Sequence, residues 1–192
     1  MQKLFSEIVG MHVLEEFGGG QPIALVRDII IDPENGKVVG FIVGKRKMIV
    51  PMDIEYIGAN MLVHSRDSIV PFDDVMRVQT IMQEQESTIL WRKVFEEKTN
   101  TYVGRVVDYV INTNLMSLLA LHVAKTFFVF QYDEKIISAK SIVRIEKEGI
   151  YIKSATEKKK AAEKILEPKI ESTPSLAGER DEIGISEFER KR

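Results

Sequence analysis

The sequence predicts an all-β protein of mainly antiparallel strands: two small β-barrels joined by a helical segment and followed by a charged, helical to disordered tail. Three observations predict this. Val, Ile, Phe and Tyr cluster in short runs bounded by Gly, Pro, Asn and Asp. Only one segment before the tail has a clear helical period, and the pattern of the first runs recurs later in the chain.

The apolar runs have the length of strands and the spacing of hairpins. They cover residues 24–31, 37–44, 47–50, 60–64, 103–111, 118–124, 127–131 and 149–153. Residues 71–87 are predicted to form a helix, because apolar residues recur there three and four positions apart. Pro71 suits the first turn of such a helix, and Asp73 and Asp74 suit its positive end.

An internal repeat explains this order of elements. Residues 26–32 ("VRDIIID") align with residues 106–112 ("VVDYVIN") at a shift of 108 − 28 = 80, which matches Asp28 with Asp108. Further along, Ile54 aligns with Ile142 at a shift of 142 − 54 = 88, so eight residues are inserted around the longer hairpin "KTFFVFQYDEK". The repeat predicts barrels at residues 1–70 and 88–153, a linker helix at 71–87 and a tail at 154–192.

The repeated segments resemble the PRC-barrel family over residues 4–153. The first copy shows "ALVRD", the turn "DPENG", the strand "VVGFIV", the apolar-Pro segment "IVP" and the step "IEYIG", and the second copy shows "GRVVD". The residues that carry the turn and strand signature are Asp28, Asp32, Gly36, Gly40, Pro51, Gly104 and Asp108. The second copy has Asn112 in place of Asp32 and lacks the turn glycine, so its turn is expected to differ.

The resemblance implies protein docking without catalysis. PRC barrels occur in the cytoplasmic H subunit of photosynthetic reaction centres, in a ribosome maturation factor that binds a small-subunit ribosomal protein, and in free-standing proteins. We therefore expect a non-catalytic adaptor with a protein partner that the sequence does not identify. One alternative is a ribosome-maturation-like factor that binds a ribosomal protein or rRNA. Another is a small-ligand or metal sensor using Asp28, Asp108 or a histidine.

Composition argues against most other classes. A chain without cysteine has neither disulfides nor thiolate metal ligands, which indicates the cytoplasm, and no apolar run is long enough to cross a bilayer. The formal net charge of -2 gives no global attraction to nucleic acid. His12, His64 and His122 lack ligand spacing. We expect no enzyme activity, no cofactor and no metal.

The acids of the opening hairpin are better explained by structure than by chemistry. Asp32 and Glu34 belong to the turn sequence "DPENG", in which every residue type has a turn role. Asp28 and Asp108 lie inside apolar strands, where a carboxylate needs hydrogen bonds. Backbone hydrogen bonding at a barrel end is the favoured role for both acids.

Apolar surplus is the main indication of a binding surface. The strands are apolar on both faces, so these faces are either covered within the chain or contact a partner or a second copy. The candidate contact residues on the barrels are Phe41, Leu119, Leu121 and Phe128, and those in the tail are Ile183, Ile185 and Phe188.

Two basic segments are also candidates for contact. Lys45, Arg46 and Lys47 form a basic hairpin tip that could contact rRNA phosphates, although solvated charge is the default interpretation. In the tail, residues 157–167 ("EKKKAAEKILE") have a narrow apolar edge that predicts a marginal helix, and the remainder is charged and is predicted to be flexible.

Overall fold

The structure is a computed structural model and describes residues 1–85, 89–127 and 130–153. The described residues belong to one compact unit, Met1–Lys158. The predicted tail helix, Ile183, Ile185, Phe188 and Phe128 lie outside the described residues. No helix in the described part of the chain is long and apolar enough to span a membrane.

The first 85 residues form short strands and two α-helices. The strands are β1 (Gln2–Leu4), β2 (His12–Glu15), β3 (Pro22–Leu25), β4 (Asp28–Ile31), β5 (Val38–Gly44), β6 (Lys47–Ile49), β7 (Ile54–Ile57), β8 (Met61–Val63) and β9 (Ile69–Pro71). The helices are α1 (Phe5–Ile8) and α2 (Met76–Gln85), and single 3-10 turns cover Pro51–Asp53, Arg66–Ser68 and Phe72–Asp74.

Residues 89–153 form longer strands and a 3-10 turn at Ala139–Ser141. The strands are β10 (Lys93–Glu96), β11 (Tyr102–Asn112), β12 (Ser117–Phe127), β13 (Phe130–Ser138), β14 (Ile142–Ile145) and β15 (Ile150–Ile152). The pairing is mainly antiparallel, which confirms the predicted all-β class.

The strand pairings of the two halves correspond, apart from β6 with β9, which only the first half has, and β1, which pairs with β11 of the second half. In the first half, β3, β2, β8 and β7 form one sheet, and β4, β5, β6 and β9 form another. In the second half, β13, β12, β11, β10, β15 and β14 follow in one sheet. Each half has one parallel pair, β2 with β8 and β10 with β15, and the antiparallel pairs around it correspond. The inserted residues lengthen the β12–β13 hairpin, as its pairing out to Phe127 and Phe130 shows.

One apolar core serves both halves. Buried side chains from residues 8–63 and 89–152 form a single cluster, in which Phe41, Tyr109 and Leu121 are among the largest fully buried members. Burial of this apolar surface is the main term that favours folding. The predicted domain boundaries stay predictions. In the structure, apolar side chains of both halves pack in the same core.

Helix α2 covers the other face of the β4–β5–β6 sheet. Val78 and Ile81 of the helix pack with Ile30 and Met48 of the sheet in a second buried cluster, with Ile42 at its edge. This contact explains why the first copy's strands are apolar on both faces: one face lies in the shared core and the other lies under α2.

The helix begins later than the predicted residue 71. Pro71 lies in β9 opposite Lys47 of β6, and the 3-10 turn Phe72–Asp74 follows it. Proline has no N–H to donate to a neighbouring strand, so within sheets it is found mainly on edge strands. The Phe72 amide donates to the Arg46 carbonyl instead of entering a helical turn, and α2 starts at Met76.

An ion pair fixes α2 to the first hairpin turn. Arg77 of α2 donates from Nε to Asp32 Oδ2 at 2.9 Å and from Nη2 to Asp32 Oδ1 at 2.6 Å, and Glu34 lies 3.0 Å from the same guanidinium. Burial alone would raise the pKa of Asp32, but the Arg77, Glu34 and Asn35 hydrogen bonds outweigh it and the pKa is lowered. The bidentate geometry makes this the strongest polar contact between helix and sheet.

We expect Arg77→Ala to lower the free energy of unfolding at pH 7 by clearly more than Arg46→Ala, because it leaves the buried Asp32 without its cation. Since the pKa of Asp32 is lowered in the fold, its contribution is present above the unfolded pKa of about 4 and is lost as the pH falls through the folded value. Urea unfolding at several pH values should show the wild-type advantage shrinking in acid.

Arg46→Ala is the matched control for this variant. Its exposed pair with Asp73 should contribute no more than about 0.5 kcal/mol, because solvent screens it. Equal losses for the two variants would contradict the role assigned to Arg77.

Candidate protein-binding surface

The two halves meet through a local two-fold relation. The Val38 amide donates to the Met116 carbonyl and the Leu118 amide donates to the Gly36 carbonyl, both at 2.8 Å, around the bridge between Lys37 and Ser117. At the shift of 80, Val38 is equivalent to Leu118 and Gly36 is equivalent to Met116. The two hydrogen bonds therefore join equivalent positions reciprocally, as contacts do across the two-fold axis of a symmetric dimer. The backbone segments beside this junction therefore occur as equivalent pairs, whereas β1, which pairs with β11, occurs once.

Two related grooves of about 300 Å³ flank the junction. We call the first the apolar groove, after the exposed apolar side chains beside it; it is lined by Met1, Pro51, Ile54, Glu55, Tyr56, Ile57, Thr113, Asn114 and Met116. We call the second the charged groove, after its ionic side chains; it is lined by Pro33, Glu34, Asn35, Gly36, Leu118, Ala139, Lys140, Ile142, Val143, Arg144 and Ile145. The positions correspond at the shifts of 80 and 88 seen in the sequence, so the backbone that builds the grooves is the same.

Large exposed side chains occur among the residues that line the apolar groove and their neighbours in sequence. Tyr56 is 61% exposed, and Met52 and Leu115, next in sequence to lining residues, are 88% and 63% exposed. Met1 closes the groove at one end, where its carbonyl accepts hydrogen bonds from the Thr113 amide and hydroxyl. Exposed apolar side chains grouped around a concavity are typical of protein-binding sites.

The charged groove shows that the fold does not require these apolar residues. Lys140 and Arg144 occupy the positions of Met52 and Tyr56, since 140 − 52 and 144 − 56 both equal 88. Asn35 occupies the position of Leu115, at 115 − 35 = 80. A polar residue therefore satisfies the fold at each equivalent position, and the exposed apolar residues need another explanation.

The grooves also differ in charge. Asp53 and Glu55 flank the apolar groove, and their equivalents in the charged groove are Ser141 and Val143. In the charged groove, Arg144 contacts Glu97 and Glu146 and lies 4.1 Å from the centre of the Tyr151 ring. Arg144 is therefore engaged in contacts within the chain, whereas neither Asp53 nor Glu55 has an ion pair among the described residues.

Asp28 and Asp108 perform the same local task. The Asp28 carboxylate accepts the Ile29 amide and the Asp108 carboxylate accepts the Tyr109 amide, each at 2.8 Å. The sequence positions coincide with irregularities in the ladder: β3 ends before Asp28, and the β11–β12 register shifts between Val106 and Asp108. A side chain that accepts the next amide suits such a break, which gives a structural reason for the paired acids.

The environments of the two acids differ. Asp108 also accepts hydrogen bonds from the Ser6 hydroxyl at 2.6 Å and the Ser6 amide at 3.3 Å. For Asp28, burial raises the pKa above its usual value and the Ile29 hydrogen bond only partly opposes this. Burial, with the charges of Asp28 and Asp108, also raises the pKa of the Tyr109 phenol, so Tyr109 stays protonated at neutral pH.

The turn residues take the positions that the hairpin requires. Asp32 accepts the Glu34 amide at 3.0 Å, Asn35 accepts the Lys37 amide at 2.8 Å, and Gly36 has φ of 69°. Gly40 lies where a Cβ would collide with the Met48 side chain and come within 2.9 Å of the Ile49 carbonyl oxygen. Pro51 begins a 3-10 turn beside the apolar groove, and Gly104 lies in β11.

Two predicted contact residues are corrected by their burial. Phe41 and Leu121 are 0% exposed, because they face the core that the halves share. Leu119 is half-buried. The sequence pattern did not single out Met52 and Tyr56 as contact residues, although reading the repeat position by position would have found them in place of Lys140 and Arg144.

The three residues of the predicted basic hairpin tip are all exposed. Arg46 pairs with Asp73, and Lys47 lies in β6 and lines a separate pocket of about 370 Å³. Lys45 is exposed. Among the described residues, His, Asp and Glu nowhere form a group of three that could hold a metal ion.

The comparison with known families finds a match in the first half of the chain. Residues 1–85 match the family model of the PRC-barrel domain. This match supports a small β-barrel module in the first half, and it ends before β10. A search of the curated proteins found no match.

We expect Asp28→Asn to raise the melting temperature slightly at pH 7, because the amide oxygen still accepts the Ile29 amide while no charge is buried. A raised pKa means that the fold disfavours ionised Asp28, so this penalty is absent below the unfolded pKa of about 4 and develops as the pH rises. The gain should therefore vanish in acid.

Asp108→Asn is the comparison variant, since the Asp108 carboxylate has the additional Ser6 partners. We expect it to lose about 1 kcal/mol at pH 7. A loss of stability in Asp28→Asn at pH 7 would show that the Asp28 charge is stabilising and would contradict our interpretation.

Proposed function

We propose that the chain is a tandem PRC-barrel protein that acts as a non-catalytic adaptor and binds a protein partner through the apolar groove. The observation that carries this proposal is the difference between the two grooves: equivalent positions hold Met52, Tyr56 and Leu115 in one and Lys140, Arg144 and Asn35 in the other. Exposed apolar side chains cost solubility, so a fold that accepts polar residues there has no structural reason to keep them.

The tandem interpretation rests on the strand pairings. The parallel pair β10–β15 corresponds to β2–β8, and hydrogen bonds next to it correspond as well: Glu16 to Val63 in the first half and Glu97 to Ile152 in the second. The PRC-barrel match covers the first of these halves. We infer that residues 89–153 are a second barrel of the same type.

The groove indicates the chemistry of the partner. A segment that inserts apolar side chains between Met52, Tyr56 and Leu115 would bury surface worth about 1.5–3 kcal/mol for each large side chain. Asp53 and Glu55 add a preference for Lys or Arg beside the apolar anchor. We therefore propose a partner with a basic-apolar segment. A chain without cysteine suits the reducing cytoplasm, where we propose that the adaptor acts.

Exchanging the rim residues for their counterparts tests the adaptor function. We expect the full-length triple variant Met52→Lys, Tyr56→Arg, Leu115→Asn to keep the wild-type melting temperature, because the second half accepts these residue types at the same positions. Its affinity for a partner captured by the wild type should fall at least about 100-fold in titration calorimetry.

Val143→Glu is the control, because it places in the charged groove the residue type found at Glu55. It should capture the same partner as the wild type. The proposal fails if the wild type captures no partner, or if the triple variant binds as tightly as the wild type.

A further inference from the structure

The two halves treat one equivalent strand edge differently. In the first half, β6 pairs with β9, which places Met48 opposite Val70, and α2 covers the face beside it. In the second half, β13 occupies the place of β6 and ends the sheet, with no further strand among the described residues. Ile136 corresponds to Met48 at the shift of 88; Met48 is 0% exposed and Ile136 is 69% exposed.

The open edge is regular over five residues. Asp133 has φ of 54°, and the β12–β13 register shifts between Val123 and Lys125, so the strand is irregular before Glu134. After Ser138 the chain enters the 3-10 turn Ala139–Ser141. Unpaired N–H and C=O groups on such an edge can form a ladder with another strand.

We propose that β13 pairs antiparallel with β13 of a second copy of this chain, about a two-fold axis at Ile136. In a continuous sheet, residues opposite each other share a face, so the axis must pass through a residue and not between two. An axis at Ile136 pairs all five residues: Ile136 with its counterpart, Lys135 with Ile137, and Glu134 with Ser138.

Charge and length together select this register over its neighbours, since an axis at Ile137 opposes no like charges but pairs only three of the five residues. An axis at Lys135 would place two lysines directly opposite each other, and an axis at Glu134 would oppose two glutamates. The axis at Ile136 opposes no like charges and covers an apolar side chain that is 69% exposed. The sequence of β13 is therefore compatible with its own copy, which is the reason for choosing a second copy over a different protein.

The face beside the edge supports the same arrangement. His122 lies opposite Ile136 in the ladder, and His122 Nδ1 is 3.2 Å from Glu134 Oε1. At the positions of Ile42 and Val50 the second half has His122 and Ser138, so this face is more polar than the one that α2 covers. A polar face can stay in contact with solvent, so a strand added at this edge needs no helix to cover the sheet. The interface is small, so we expect a weak dimer with a dissociation constant on the order of 10–100 µM.

A single introduced cysteine tests the register, because the chain has none of its own. Directly opposite residues of antiparallel strands have Cα atoms about 4.5–5.5 Å apart, a separation that a disulfide spans. Full-length Ile136→Cys should form a covalent dimer under mild oxidation at least about tenfold faster than Val143→Cys, which lies on β14 at the other edge of the sheet. Equal rates would overturn the proposal.

Sedimentation equilibrium supplies an independent measurement. At about 200 µM the wild type should contain substantial dimer and Ile136→Asp should be mostly monomer, since Ile136 faces its counterpart and two carboxylates would repel each other there. Val143→Asp should behave as the wild type. A monomeric wild type overturns the proposal; the edge would then be covered by another protein, by residues beyond Lys153 or by nothing. A dimer that persists in Ile136→Asp overturns it as well. These outcomes are independent of the apolar groove.

Discussion

The reciprocal hydrogen bonds between the turns at Gly36–Val38 and Met116–Leu118 organise the rest of the molecule. They join the halves about a local two-fold relation, and the inner faces of both halves then share one apolar core. Neither half has to bury its apolar surface alone, which is difficult for a domain of this size. The same junction creates two grooves with equivalent backbones.

The corresponding strand pairings make differences between the halves informative. Where the halves agree, as in the Asp28 and Asp108 contacts with the following amides, the backbone explains the residue. Where the halves differ, the fold accepts either residue type at the equivalent positions. The fold therefore does not explain which residue is present. Met52, Tyr56 and Leu115 in the apolar groove, and Ile136 at the open edge of β13, are differences of this kind.

The first half has a strand, a helix and an ion pair that have no counterpart in the described part of the second half. Strand β9 pairs the edge of β6, α2 covers the adjoining face, and Arg77 fixes the helix to Asp32. In the second half, Asn112 stands in place of Asp32 and accepts the Asn114 and Leu115 amides, so its turn is closed without an ion pair. The turn of the second half thus lacks the acid at the Asp32 position, and no described helix is fixed to it by an ion pair.

Local pattern was enough to predict the all-β class and the DPENG turn, and the sequence repeat predicted the corresponding strand order of the two halves, because strand alternation and turn chemistry act between near neighbours. Tertiary structure alone decided which apolar residues are buried. Phe41 and Leu121 were expected to be available to a partner but face the shared core, while Met52, Tyr56 and Leu115 are exposed. Tertiary structure also paired Arg77 with Asp32 across 45 residues. Burial depends on which faces meet, and that meeting is set by contacts between residues far apart in the chain.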